Sequence, residues 1–138
     1  MDVVDVDGKP ARWSNPEGRM TIALAKPLAA GAKVSVRIRY AGHPHQASKA
    51  PWDGGIVWAK APTGEPWIGT AVQGEGCDLL WPCIDHPMGK PQVVVQHISV
   101  PAPLVAASNG VAEGMQEKNG SRTYQWRAKL PDTYAIAL

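Results

Sequence analysis

No run of lysine or arginine in this 138-residue chain is long enough to form a patch for nucleic acid or an anionic membrane, because its formal charge of +2 is spread along the length. No stretch approaches the roughly 20 uninterrupted apolar residues of a membrane-spanning helix. The opening "MDVVDVDGKP" has neither the basic nor the apolar region of a secretory signal and reads like the middle of a strand. The native amino terminus and any signal peptide are therefore expected to lie outside this sequence. Cysteine is scarce: Cys77 and Cys83 are too few for a disulfide framework or a zinc ribbon, and they leave the compartment open. Also missing are G-x-S-x-G, a glycine-rich phosphate loop and H-E-x-x-H. These absences leave a soluble chain with no nucleic-acid partner, no membrane segment and no metal site of its own.

What is present is apolar enough to fold. With 44% hydrophobic and 19% charged residues, the chain is expected to form one domain over residues 1–138. Alternation dominates: in "KVSVRIRY", Val34, Val36, Ile38 and Tyr40 share one face, and Lys33, Ser35, Arg37 and Arg39 the other, as in a half-buried strand. "MTIALA", "GIVWAK", "WIGTAV", "VVVQHISV", "SRTYQWRAK" and "TYAIAL" read the same way. Turn signals separate them, among them "DGKP", "SNPEG", "PTGEP" and "SNG". Asn119-Gly120 predicts a type I′ hairpin between "VAEGMQE" and "SRTYQWRAK", since both residues tolerate positive φ. The 14 glycines and 13 prolines would break helices almost wherever they began. The expected class is all-β, an antiparallel β-sandwich with little or no helix.

The densest chemistry is "TAVQGEGCDLLWPCIDHP", residues 70–87. Cys77, Cys83, Asp85 and His86 have metal-ligating atoms, but their spacing fits no structural zinc pattern. Cys83 is expected to be a buried thiol in a tight corner between Pro82 and Pro87, with Asp85 accepting backbone N–H bonds there. A cysteine nucleophile would need His86 or His97 brought close by the fold. His43 and His45 in "GHPH" read as a solvated turn, since no third and fourth donor stand nearby. Gln73 and Glu75, flanked by glycines just past a strand end, can project into a cleft. Trp52, Trp58, Trp67 and Trp81 are expected in the core; exposed, they would suit a carbohydrate-binding surface.

The order of these motifs resembles the amino-terminal, saddle-like β-sandwich of the M1 family of zinc aminopeptidases. The usual pattern there is T-Q-x-E, then P-C-x-D-x-P, a lysine, a strand ending in proline, and an S-N-G turn. Here "TAVQGEG", "WPCIDHP", Lys90, "VVVQHISVP" and "SNG" follow in register, and "PLAAGAKVSVRIRYAGHP" is similar to the family's L-x-x-G and Y-x-G strand. The resemblance covers about residues 27–138. It implies a non-catalytic domain preceding a thermolysin-like catalytic domain that begins after Leu138 and carries the zinc. It further implies that Gln73, at the family's glutamate position, binds the substrate's amino terminus. Glu75, two residues beyond, would be an added substrate-binding carboxylate. Ala71 replaces the family's earlier glutamine. The implied partners are the catalytic domain of the same parent chain and a peptide's amino terminus. That domain would cover part of the apolar face of "QGEGCDLLWPC", leaving it exposed here. The alternative is a scaffold sandwich from a catalytically silent relative.

Overall fold

The structure, a computed structural model, describes residues 3–72 and 74–138. Its contacts fall into two compact units, Met1–His43 and Pro44–Leu138. Among the described residues every pairing between strands is antiparallel, one isolated parallel bridge joins Gln46 to Ile56, and the helical pieces are three single 3-10 turns. The fold class is therefore the expected one, all-β and antiparallel, of the sandwich type.

In the first unit, β1 (Val3–Val6) turns at Asp7-Gly8 into β2 (Lys9–Pro10), and β3 (Trp13–Ser14) pairs with β4 (Thr21–Ile22). β5 (Val36–Arg39) lies on the other edge of β1, giving the order β2-β1-β5 with Val4 opposite Ile38. The strand expected over residues 33–40 is shorter because β5 extends only as far as its four-residue partner. Only Val34 and Ile38 of its apolar face are half-buried; Val36 and Tyr40 are exposed.

The second unit starts with a hairpin of β6 (Gly55–Lys60) and β7 (Pro66–Ala71), in which Trp58 faces Ile68 and Ala59 faces Trp67. A three-stranded sheet follows: β8 (Val93–Pro101), β9 (Val111–Lys118) and β10 (Ser121–Lys129), in the order β8-β10-β9. The Asn119-Gly120 hairpin forms as the sequence predicts, with φ of 51° and 74°.

Period-two alternation gives this sheet two different faces. Val94, Gln96, Ile98 and Val100 of β8 meet Ala128, Trp126, Tyr124 and Arg122 of β10 on the sheltered face. Residues 102–110 run across that face, held by Tyr124 Oη donating to the Leu104 carbonyl at 3.3 Å and Trp126 Nε1 to the Ala106 carbonyl at 3.2 Å. On the open face Ser99 and Thr123 hydroxyls bond at 2.7 Å, and Glu113, at the β9 bulge, accepts from Arg127 and Gln125.

Two expectations fail here. "TYAIAL" is not a strand but a 3-10 turn, Thr133–Ala135, followed by a tail. The "SNG" turn supplies the partners that a neighbouring strand would have given. Asn109 Oδ1 accepts from the Ala137 amide at 2.7 Å, and the Ser108 hydroxyl reaches the Ala137 carbonyl at 2.5 Å and the Gln96 amide oxygen. Nor are the tryptophans all core. Trp52, Trp58 and Trp67 are 81%, 59% and 65% exposed. Trp58 and Trp67 alternate to opposite faces of a two-stranded ribbon, which cannot bury both by itself.

Candidate functional site

The site is built where β7 ends. Val72, 5% exposed, anchors a tight turn by accepting at its carbonyl from the Glu75 and Gly76 amides at 3.3 and 2.8 Å. Gly76 has φ of +104°, and a Cβ there would lie 2.4 Å from Asp85 Oδ2 and 2.7 Å from Asp78 Oδ1. Only glycine fits both the conformation and the space. The next residues form a 3-10 turn, Cys77–Leu79, whose first carbonyl accepts from the Leu80 and Trp81 amides at 3.1 and 3.2 Å.

Doubling back in this way brings the two cysteines together. Cys77, fully buried, is disulfide-bonded to Cys83, with Cα atoms 6.2 Å apart. The expectation of a buried free thiol at Cys83 is thus corrected, and neither sulfur is available as a nucleophile or a thiolate ligand. Asp85 also behaves differently from its expected capping role. Its carboxylate lies against Gly76 and 3.7 Å from Cys77 Sγ. His86 closes the turn instead, its Nδ1 accepting from the Met88 amide at 3.1 Å and its carbonyl from Gly89 at 2.7 Å. Nδ1 as acceptor places the neutral imidazole proton on Nε2.

Segments 74–76, 85–87 with Lys90, and 132–134 enclose an open cavity of about 240 Å³. Lys90 Nζ and Asp132 Oδ1, 2.7 Å apart, pin two of these segments, and the carboxylate raises the lysine's pKa. Glu75 stands at the rim, exposed. Its stem rests on Gly54, just before β6, where a Cβ would come within 2.5 Å of Glu75 Cγ and 2.8 Å of Leu79 Cδ1. Gln73, the other expected substrate-binding residue, lies outside the described residues. The loop's exposure is divided: Gly76 and Cys77 are buried, Leu79 to Cys83 half-buried, and Ile84 and Met88 exposed at 70% and 86%.

His45 is structural. Its Nε2 is 3.5 Å from Asp53 Oδ1, and Asp53 Oδ2 accepts from the Ser48 amide at 2.6 Å and hydroxyl at 2.5 Å. The Ser48 side-chain bond, foremost, then its backbone bond, lower the Asp53 pKa. Among the described residues no group of three or more His, Cys, Asp or Glu is placed to hold a metal ion, so the donors zinc needs are not assembled here.

No protein-family sequence model and no curated protein sequence matches the chain. Its backbone does match solved structures. One is an M1 zinc metallopeptidase from Deinococcus radiodurans, at a TM-score of 0.80 and 25% identity over 99% of this chain. Over nearly its whole length this chain is similar to one part of an M1 zinc metallopeptidase. A variant of a two-domain M1 zinc metallopeptidase bound to L-arginine matches at 0.78 and 25%, and a Deinococcus radiodurans variant bound to a Tyr-Ser-Ala substrate at 0.79 and 25%. The chain spans only about 30% of the length of those chains. Within it, the P-C-x-D-x-P pattern of residues 82–87 forms the disulfide corner, and the S-N-G pattern of residues 108–110 locks the tail.

Proposed function

We propose that this chain is the non-catalytic, amino-terminal domain of a zinc aminopeptidase of the M1 type. In that reading it forms one wall of the cleft that holds a peptide's free amino terminus, through Gln73 and Glu75. The observation that carries the reading is the match over 99% of this chain to only 30% of an M1 zinc metallopeptidase. Two of the matched proteins hold L-arginine and Tyr-Ser-Ala. Glu75 supports it chemically: an exposed carboxylate with no ion-pair partner among the described residues can pair with an α-ammonium group.

Zinc belongs to the catalytic domain of the parent, where it would polarise the peptide carbonyl and activate water. What this chain contributes is a fixed loop at the amine end of the cleft. In the parent protein, Gln73→Ala is expected to weaken turnover of free-amino substrates by about 1–3 kcal/mol, measured as kcat/KM. Unchanged kinetics would sink the assignment. Exposed tryptophans favour a carbohydrate-binding reading as well, but Trp58 and Trp67 point to opposite faces of their hairpin and cannot form one stacking platform.

A further inference from the structure

We infer that the Cys77–Cys83 disulfide positions Glu75, so that binding of a free amino terminus depends on the thiol–disulfide state of this pair. The inference rests on the cleft-wall reading above. Two contacts tie the same two segments together. Cys77 is bonded to Cys83; Gly76, its neighbour, lies against the carboxylate of Asp85, two residues past Cys83. Inside the closed loop, Leu79 shares the bare surface of Gly54 with the Glu75 stem. The disulfide thus fixes Gly76 on one side of Glu75 and Leu79 beneath it. Among the described residues the loop's backbone bonds, from residues 75 and 76 to Val72 and from residues 80 and 81 to Cys77, are local. Among the described residues, no hydrogen bond or ion pair orients the Glu75 carboxylate. With the covalent link gone, the stem's placement would rest on its packing and on the local bonds to Val72.

Reduction is a two-electron step. A phosphine attacks Sγ of Cys83, the half-buried partner, because Cys77 is fully enclosed. The S–S bond breaks, Cys77 leaves as a thiolate and takes a proton, and water then releases Cys83 as a thiol with phosphine oxide as the oxidised product. The Asp85 carboxylate near Cys77 Sγ disfavours the departing thiolate, so reduction is expected to be slow.

The test uses the full-length protein that contains this chain, purified without reductant. Alkylation with iodoacetamide and intact mass count its thiols before and after treatment with a water-soluble phosphine. Hydrogen exchange over residues 72–84 and the KM and kcat for leucine p-nitroanilide are measured in both states. The expected result is that Cys77 and Cys83 resist alkylation until reduced. Reduction then lowers exchange protection of the loop and raises KM about tenfold, with kcat changed less than about twofold. The Cys77→Ser/Cys83→Ser double variant should show the raised KM and no response to phosphine. Reduction of the wild-type protein supplies the same comparison without depending on the variant's folding. Free thiols at both positions before reduction overturn the inference, as do loop exchange and KM that ignore complete reduction. Absence of peptide cleavage in both states would instead remove the cleft-wall reading. Loop exchange then decides the positioning role alone: lost protection supports it, and unchanged protection overturns it.

Discussion

At Gly76 a single missing methyl group lets two acidic side chains, Asp78 and Asp85, share one corner. Replacing it by alanine would drive a Cβ into the Asp85 and Asp78 carboxylates at a positive φ. Gly76→Ala is therefore expected to cost about 2–4 kcal/mol in urea unfolding followed by tryptophan fluorescence. A loss under about 0.5 kcal/mol would contradict the packing described. Asn109→Ala should cost about 1–2 kcal/mol by the same measurement, because it leaves the part-buried Ala137 amide without its acceptor. At this scale the sequence was only partly legible. Glycine-flanked Glu75 was readable as an exposed side chain at a strand end, whereas "GHPH", expected as a solvated turn, is an exposed segment with no turn, its His45 carbonyl accepting from the Ile56 amide at 2.8 Å. The disulfide was not, since six residues of separation bridge only if the chain reverses, and that reversal depends on a 3-10 turn with no periodic signal of its own. The signal available was two cysteines in one short loop punctuated by glycine and proline.

Elements were most legible where alternation and turn chemistry agreed. β6 and β10 occupy the very residues of "GIVWAK" and "SRTYQWRAK", and the Asn119-Gly120 turn sets the β9–β10 register. The carboxy-terminal segment misled because its apolar residues suit a strand, yet side chains at Ser108 and Asn109 capture its backbone first. The three-stranded sheet also carries a pH dependence. Bonds from Arg127, foremost, and Gln125 hold the Glu113 carboxyl below the usual glutamate range. A group depressed in the folded state stabilises it fully above the unfolded value and loses that contribution as pH falls through the folded value. Stability is thus expected to decline below about pH 4. Glu113→Gln should flatten that decline in denaturant titrations across the acid range. An unaltered slope would show that this carboxylate is not part of it.

For the whole molecule, backbone and sequence carry different amounts of the family's mark. Family sequence models do not match, yet the fold superposes on an M1 zinc metallopeptidase at a TM-score of 0.80 with 25% identity. A sandwich needs alternation and turns in order, which tolerate wide replacement of individual side chains. That is why the resemblance rested on the sequence of short motifs rather than on any one of them. Ala71, where the resemblance would have a glutamine, shows the same drift at the end of β7, beside the site loop. The apolar side chains of Trp58, Trp67, Ile84 and Met88 are left open to water, and in the proposed reading the rest of the parent chain covers part of them. This chain by itself is accordingly expected to bind the dye ANS more strongly, per molecule, than the full-length parent. Equal binding would mean that the rest of the parent covers none of these residues.

The most direct test of the cleft-wall claim is hydrogen exchange on the full-length protein with and without a non-hydrolysable peptide bearing a free amino terminus. The account predicts slowed exchange over residues 72–81, and no slowing there when the same peptide is amino-acetylated. Protection that leaves residues 72–81 untouched while the peptide is bound elsewhere would contradict it.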